Sequence, residues 1–262
     1  MATKKAALKA SRVVELDPST EVAGIFDGLE SKLWIHYEVE CQFTSLVMAG
    51  TPARADVIAG FIRAKMGVDS DTELAAMVKK TLGEIGVETP DAATLEDVIK
   101  ASESIASERH GNVFKRDQHG LYLETRQVKS GLKEATNVLY AGERWGKTKK
   151  GPKNAISEWI FLHGQRIYLG RERADGQWTQ HGVVSGPSGS RSTLTQYEYV
   201  DKPRITFILK SLVDPANDHE RISPDQWAML LGYLQYSGLG ALRSQSHGQF
   251  KVVGFTRVDL KA

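Results

Sequence analysis

One stretch near the amino terminus constrains the fold more than any other part of the chain. From Ser31 to Met48, in SKLWIHYEVECQFTSLVM, apolar and polar residues alternate, and β-branched and aromatic residues are frequent. Five apolar residues share one parity: Leu33, Ile35, Tyr37, Val39 and Cys41. A period of two predicts a long β-strand with one buried face, so the chain needs further strands to complete a sheet.

The spacing becomes helical between Asp56 and Ser107. Apolar residues recur there in three groups: Val57, Phe61, Ile62 and Met66; Leu74, Met77, Val78, Leu82 and Ile85; Leu95, Val98 and Ile99. Each group predicts the buried stripe of a short amphipathic helix. Residues 48–108 hold 6 basic and 11 acidic groups, a net charge of −5. We therefore predict an inserted helical subdomain with an acidic surface.

The remainder predicts mostly strands, together with two helices. A helix is expected from the spacing of Val128, Leu132, Ala135 and Leu139, and another is expected to open at Ser223-Pro224-Asp225. Gln118-His119-Gly120 and His163-Gly164 predict hairpin turns, and residues 182–192 predict a Gly/Ser-rich loop.

This order of elements predicts an α+β fold with a ferredoxin-like (RRM-type) core, built as β-α-β-β-α-β, and an inserted helical subdomain. We assign residues 1–30 to an N-terminal arm, residues 49–110 to the helical insertion, and residues 31–48 and 111–262 to the core. The 262 residues suit one domain that carries an insertion.

Composition and cysteine count exclude several classes of protein. Hydrophobic residues make up 41% and charged residues 25%, as in globular proteins, and no apolar run approaches the length of a membrane span. The basic N-terminus has no apolar segment behind it, so we expect no secretory signal and a cytoplasmic location. Cys41 is a single cysteine and cannot form an internal disulfide or a Cys-based zinc site. We expect no metal, no cofactor and no membrane partner.

Basic residues concentrate after the insertion. Residues 111–153 hold 10 basic and 4 acidic groups, a net charge of +6. In the loop that follows residue 143, Trp145 could stack on a base while Lys147, Lys149 and Lys150 neutralise phosphates. Arg126, Lys129 and Lys133 lie on the preceding helix, where Lys129 and Lys133 share one face. Both sets could equally be ordinary solvated surface.

A glycine-rich segment lies between the last helix and the last strand. Gly238 and Gly240 allow tight turns whose N–H groups could bond phosphate oxygens, and Arg243 and His247 add donors and charge. The order of helix, glycine loop and strand differs from that of a P-loop, so nucleotide hydrolysis is poorly supported. An ordinary helix-to-strand turn is the alternative interpretation.

Two stretches together resemble the RAMP superfamily, the RNA-binding subunits of CRISPR effector complexes. The helix followed by GLGALRSQSHGQFKV is similar to the family's C-terminal glycine-rich loop. NVFKRDQHGLYLETRQVKSGLKEA is similar to the segment in which Arg-Asp, a glycine turn, a strand and a Ser-Leu-Lys-Gly helix start follow one another. The resemblance implies a ferredoxin-like core that holds RNA by its backbone, and it looks closest to the subunit that polymerises along a guide RNA.

We expect a non-catalytic module that binds single-stranded RNA within a multi-subunit ribonucleoprotein, beside copies of itself or other subunits. RNA-cutting members of the family carry an aspartate before the Arg-Asp, whereas residues 110–112 here, His-Gly-Asn, contain no carboxylate. Two alternatives stay open. His247 could act as the general base of an RNA-processing endoribonuclease, or the basic regions could bind an acidic neighbour in a structural assembly.

Overall fold

The computed structural model describes residues 12–15, 33–68, 70–87, 94–106, 111–143, 145, 152–186, 189–214 and 219–261. The helices are α1 (Ala55–Met66), α2 (Asp71–Glu84), α3 (Leu95–Ala106), α4 (Thr125–Leu139), α5 (Pro152–Trp159) and α6 (Pro224–Ser237). The strands are β1 (Arg12–Glu15), β2 (Trp34–Phe43), β3 (Val47–Met48), β4 (Thr51–Pro52), β5 (Asn112–Val113), β6 (Lys115–Asp117), β7 (Gly120–Glu124), β8 (Ile160–Leu162), β9 (Arg166–Tyr168), β10 (Gly176–Gly186), β11 (Gly189–Val200), β12 (Arg204–Asp214), β13 (His219–Glu220) and β14 (Phe250–Lys261). In the described part of the chain, no helix has the length and apolar character of a membrane span.

The main sheet has the topology that the order of elements predicts. Strands β14, β2, β12 and β8 are neighbours in that order, and each adjacent pair is antiparallel. Helix α4 lies in sequence between β2 and β8, and α6 lies between β12 and β14. The six elements therefore follow the β-α-β-β-α-β order of a ferredoxin-like fold, and the predicted fold class is confirmed. Strand β1 adds to the sheet in parallel with β14, and the rest of the predicted arm, residues 1–30, lies outside the described residues.

Alternation along β2 places the core on one face of this sheet. Ile35, Tyr37, Val39, Cys41 and Phe43 are all buried. They belong to one hydrophobic cluster with residues of both helices, namely Val128 and Leu132 of α4 and Trp227, Leu230 and Leu234 of α6. Burial of each large apolar side chain contributes about 1.5–3 kcal/mol, so the two helices pack on the apolar face of the strand.

Helix α6 begins where its capping residues predict. The Ser223 hydroxyl accepts a hydrogen bond from the Gln226 N–H, and the Gln226 side chain accepts one from the Ser223 N–H. Pro224 occupies the first turn, where its missing N–H costs nothing. This capping box gives hydrogen-bond partners to two backbone N–H groups at the start of the helix. The predicted start of α6 is confirmed.

The two predicted hairpin turns have different outcomes. Strands β6 and β7 pair antiparallel with Asp117 opposite Gly120, so the turn at residues 118–119 is confirmed. The turn at His163-Gly164 does not form a hairpin, because β8 pairs with β12 whereas β9 pairs with β7. Two strands that are adjacent in sequence therefore belong to different sheets.

Strands β10 and β11 form a long hairpin where the sequence predicted a loop. Their pairing extends from Gly176 opposite Tyr199 to Gly186 opposite Gly189. The prediction of a Gly/Ser-rich loop over residues 182–192 is therefore wrong. Each strand supplies the other with a continuous partner, and this pairing overrides the low strand propensity of glycine.

Helices α1, α2 and α3 form where the sequence predicts helices, and they enclose a second hydrophobic cluster. Leu74, Val78, Leu82 and Ile85 are fully buried, as the spacing indicates. The first stripe is right only for Ile62, which faces the cluster together with Ile58 and Ala59. Val57, Phe61 and Met66 are instead 45%, 61% and 59% exposed. The apolar residues on α1 thus divide between a buried face and a solvent face.

A charged contact joins the helical section to the ferredoxin-like core. The Lys115 ammonium on β6 lies 2.5 Å from a carboxylate oxygen of Glu84 on α2 and 3.2 Å from one of Glu124 at the end of β7. The Lys115 side chain is only 17% exposed, so this contact fixes α2 beside β6.

Candidate nucleic-acid interface

Helix α4 presents the predicted cationic residues on its outer side. Val128, Leu132 and Ala135 are buried in the core, whereas Arg126, Lys129 and Lys133 are exposed or half-buried. At about 100° per residue, these three cations lie within one sector of the helix of about 60°. The structure therefore brings them together on one side of α4.

Lys129 reaches over the edge of the main sheet to an aromatic pair. Its ammonium lies 4.1 Å from the centroid of the Phe161 ring on the edge strand β8. The ring of Trp34 on β2 lies 5.3 Å from Phe161 and almost perpendicular to it. Burial lowers the pKa of Lys129, and the like charge of Lys133 lowers it further. The site therefore combines a partly desolvated cation with a half-exposed aromatic surface.

Arg126 does not contribute a free charge to this surface. Its guanidinium lies 2.6 Å from a carboxylate oxygen of Glu124, which is also paired with Lys115. Arg126 and Lys115 lie close to Glu124, and they hold its pKa below the ordinary value. By contrast, Lys129 and Lys133 form no ion pair with any carboxylate of the described residues.

The glycine-rich segment packs against the same helix. The Gly240 N–H donates to Gln127 Oε1 at 3.1 Å. Arg243 Nη2 donates to Glu134 Oε2 at 2.8 Å, and the Tyr233 hydroxyl donates to the other oxygen of that carboxylate at 3.2 Å. The structure thus brings Arg243 next to α4, but in an ion pair that neutralises its charge.

The glycines serve internal packing rather than an open phosphate cradle. Gly238 and Gly240 have φ angles of 74° and 93°, in the left-handed region that favours glycine. A Cβ atom on Gly240 would lie 2.8 Å from the carbonyl oxygen of Met48. The Gly238 N–H donates to the Leu234 carbonyl and the Gly240 N–H to Gln127, so neither is available to a phosphate oxygen. This corrects the chemical role that we expected for their N–H groups.

His247 lies at the end of the segment, against the long hairpin. Its ring contacts that of Trp178 on β10 edge to face, with 5.6 Å between the centroids. Burial lowers the pKa of His247. Among the described residues, neither a carboxylate nor a second histidine hydrogen-bonds its ring. The general base of the ribonuclease hypothesis therefore has no orienting partner there.

Trp145 does not lie on an exposed finger. It is 6% exposed and belongs to the main core, where its ring contacts Tyr140 at a centroid distance of 4.9 Å. A buried indole cannot stack on a base, so the expectation for Trp145 is wrong. Its apolar area outweighs the polar character of the surrounding sequence. Lys147, Lys149 and Lys150 lie outside the described residues.

The Arg116-Asp117 pair of the motif is held by internal contacts. Arg116 Nη2 donates to both carboxylate oxygens of Glu198, at 3.1 Å and 3.0 Å. Asp117 accepts a hydrogen bond from the Tyr168 hydroxyl at 2.9 Å and pairs with Arg166. These contacts join β6 to β9 and β11, so in this structure the pair positions strands.

The sequence did not predict the aromatic pair of Trp34 and Phe161 or the contacts that hold the glycine-rich segment. Trp34 was detectable in principle, because it is a large aromatic residue on the polar parity of an alternating strand. Gln127 and Glu134 lie seven residues apart, and two helical turns place them on one side of α4. Within the described residues, no three His, Cys, Asp or Glu side chains are grouped as metal ligands would be.

No protein-family model matches this sequence, and no curated protein matches it. One solved structure that matches is a cryo-EM structure of the Type III-B Cmr-beta bound to cognate target RNA. The TM-score is 0.39 and the sequence identity is 10%, over 88% of this chain and 63% of that chain. This chain thus spans less than two thirds of the length of the chain it matches.

Proposed function

We propose that this chain is a non-catalytic RNA-binding subunit that holds single-stranded, guide-type RNA by its backbone within a multi-subunit ribonucleoprotein. The RAMP-like order of motifs supports this proposal from the sequence. The ferredoxin-like sheet, with aromatic side chains at its β8 edge, supports it from the fold, because bases can stack on such rings.

The observation that carries the proposal is the pair formed by Lys129 and Lys133. Two like charges one helical turn apart repel each other, at a cost of about 0.2–0.5 kcal/mol. The neighbouring cations Arg126, Lys115 and Arg243 are all paired with carboxylates, whereas this pair has no carboxylate partner among the described residues. A phosphate beside the two ammonium groups would relieve the repulsion. A polyanion therefore gains more here than at the paired cations.

Arg243 and His247 remain part of the proposed interface as its border. Both lie on the glycine-rich segment, which α4 holds through Gln127 and Glu134. Gly238 and Gly240 allow the backbone of the segment to turn towards α4. Their contribution to the proposed interface is therefore the backbone conformation and not a direct contact with RNA. An RNA backbone that follows the outer side of α4 would pass along this border.

The double variant Lys129→Glu/Lys133→Glu tests the proposal. Binding of a fluorescently labelled single-stranded RNA is measured by anisotropy at about 50 mM and about 200 mM salt. The variant should lose about tenfold or more in affinity, for all sequences alike, and its salt dependence should become shallower by about 0.7 per lost phosphate contact. The matched control is Lys65→Glu together with Lys80→Glu, two exposed residues of α1 and α2, which changes the net charge equally and should bind as the wild type does.

Equal affinity of the double variant and the control would overturn the assignment of this surface. Wild-type affinity that does not change with salt would overturn backbone binding altogether. Incubating the protein with the same labelled RNA and checking the length of the RNA afterwards tests the ribonuclease alternative. We expect the labelled RNA to stay intact with and without divalent metal, and cleavage that His247→Ala abolishes would establish the alternative instead.

A further inference from the structure

A cavity of about 530 Å³ opens at the base of the long hairpin, where β10 begins and β11 ends. Its volume falls in the range of about 300–1,000 Å³ that is typical of small-molecule sites. The lining includes Arg171, Asp175, Gln177, Trp178, Tyr199 and Asp201. Through the contact of Trp178 with His247, the cavity adjoins the glycine-rich segment.

Two aromatic rings form walls on one side of this cavity. Gly176 pairs with Tyr199 and Trp178 pairs with Tyr197, so Trp178 and Tyr199 lie on the same face of the hairpin. A Cβ atom on Gly176 would lie 2.7 Å from the Tyr199 hydroxyl oxygen, so the tyrosine ring lies directly over the glycine backbone. Trp178 is 42% exposed. A flat aromatic ligand could therefore stack against these side chains.

The polar groups of the cavity determine which kind of aromatic ligand can bind there. The carboxylate of Asp175 already has partners within the protein. It accepts a hydrogen bond from the Asp201 N–H at 2.8 Å and lies 3.7 Å from Arg171 Nε. The Asp201 carboxylate makes no hydrogen bond or ion pair with another described residue. A carboxylate only accepts hydrogen bonds, so it favours a ligand with adjacent N–H donors and repels a phosphate.

Guanine meets these requirements better than the other RNA bases. Its N1–H and N2–H₂ groups are two adjacent donors that one carboxylate can accept together, and its O6 accepts from a guanidinium such as that of Arg171. Adenine and cytosine each offer a ring acceptor beside the amino group, and uracil offers a single N–H between two acceptors. We propose that the cavity at the base of the hairpin binds an unstacked guanine base of the RNA, with Asp201 as the residue that recognises it.

This inference rests on the proposed function for the source of the guanine, so the test has two arms. In the first arm, saturation-transfer NMR follows the binding of free GMP, AMP, CMP and UMP to the whole protein. GMP should give the strongest transfer, and Asp201→Asn should remove the difference between the nucleotides. Glu172→Gln, a neighbouring carboxylate outside the cavity, is the matched control. Equal transfer from all four nucleotides to the wild type would overturn the guanine site.

In the second arm, anisotropy compares an RNA of A, C and U with the same RNA carrying one central guanine. The guanine-containing RNA should bind about tenfold more tightly, the discrimination expected of one bidentate contact with a base edge. Asp201→Asn should abolish this difference while affinity for the guanine-free RNA persists. Equal binding of both RNAs to the wild type would overturn recognition of guanine within RNA and leave the proposed function intact. If GMP bound selectively but neither RNA did, the proposed function would fail and the cavity would be a site for a free guanine nucleotide.

Discussion

At the residue scale, the glycine-rich segment depends on backbone conformations that other residues rarely adopt. Gly248 has a φ angle of 73°, and a Cβ atom there would lie 1.8 Å from the carbonyl oxygen of Leu239. The Leu239 N–H donates to the Gly248 carbonyl at 2.9 Å, so the beginning and the end of the segment are in contact at this glycine. The close approach therefore needs a residue without a side chain.

We expect Gly248→Ala to lower the free energy of unfolding by more than about 2 kcal/mol, because both the conformation and the space exclude a methyl group. Gly232→Ala on α6 is the control, since nothing lies within 4 Å of a Cβ atom there. The control should raise the free energy of unfolding by about 0.5–1 kcal/mol. Urea denaturation measures both, and similar values for the two variants would contradict the role of Gly248.

His247 predicts a pH dependence of stability. Its pKa is lower in the folded protein, because burial disfavours the charged ring. The unfolded chain therefore binds more protons below about pH 6.5, and stability falls as the pH falls through that range. We expect His247→Gln to lose less stability than the wild type between about pH 7.5 and about pH 5.5. Thermal unfolding at each pH measures the difference, and equal losses of stability in both proteins would contradict this role of His247.

At the scale of elements, α4 combines three tasks on three sides. Its apolar side packs into the core, its outer side carries Lys129 and Lys133, and its third side holds the glycine-rich segment through Gln127 and Glu134. The ion pair between Glu134 and Arg243 therefore fixes the segment and also removes one positive charge from the proposed interface. This ion pair therefore stabilises the fold but lowers the positive charge available to bind RNA.

Removing only the charge of Glu134 separates the two effects. Glu134→Gln keeps a hydrogen-bonding side chain near Tyr233 and leaves the guanidinium of Arg243 uncompensated. We expect tighter binding of single-stranded RNA and a salt dependence that is steeper by up to about 0.7, the increment for one added phosphate contact. Glu96→Gln on α3 controls for the change in net charge. Weaker binding by Glu134→Gln than by the control would contradict this place for Arg243 in the interface.

At the scale of the whole molecule, the helical section and the ferredoxin-like core have separate hydrophobic clusters. The proposed interface on α4 belongs to the core, whereas Leu74 lies fully buried in the cluster of the helical section. Damage to the helical cluster should therefore leave RNA binding unchanged. The ion pair between Lys115 and Glu84 connects the two parts.

We expect Leu74→Ala to destabilise the helical section by about 2–5 kcal/mol, as the loss of a large buried side chain leaves a cavity. Hydrogen exchange should accelerate in α1 and α2 more than in β2 and β12, while RNA affinity below the unfolding temperature stays that of the wild type. Leu194→Ala is the control, because Leu194 is 64% exposed. A loss of RNA affinity in Leu74→Ala alone would show that the helical section takes part in binding.

The elements of the fold were largely predictable because their signals are local. The alternation along β2, the stripe of α2 and the capping residues of α6 each depend on neighbours within a few positions. Helix α5 was missed, because Pro152–Trp159 lies between a basic stretch and a strand and has only eight residues to show a period. The pairing of β8 with β12 was missed as well, since proximity in sequence suggested β9.

The sequence by itself determined the β-α-β-β-α-β order of the core, the buried faces of β2, α2 and α4, and the concentration of basic residues around α4. Only the tertiary structure decided which of these residues can meet a ligand. It buried Trp145, occupied the N–H groups of Gly238 and Gly240, and paired Arg243 with a carboxylate 109 positions away. The physical reason is that periodicity and capping act within one element, whereas burial, ion pairing and the use of a hydrogen-bond donor depend on partners that only the folded chain brings together.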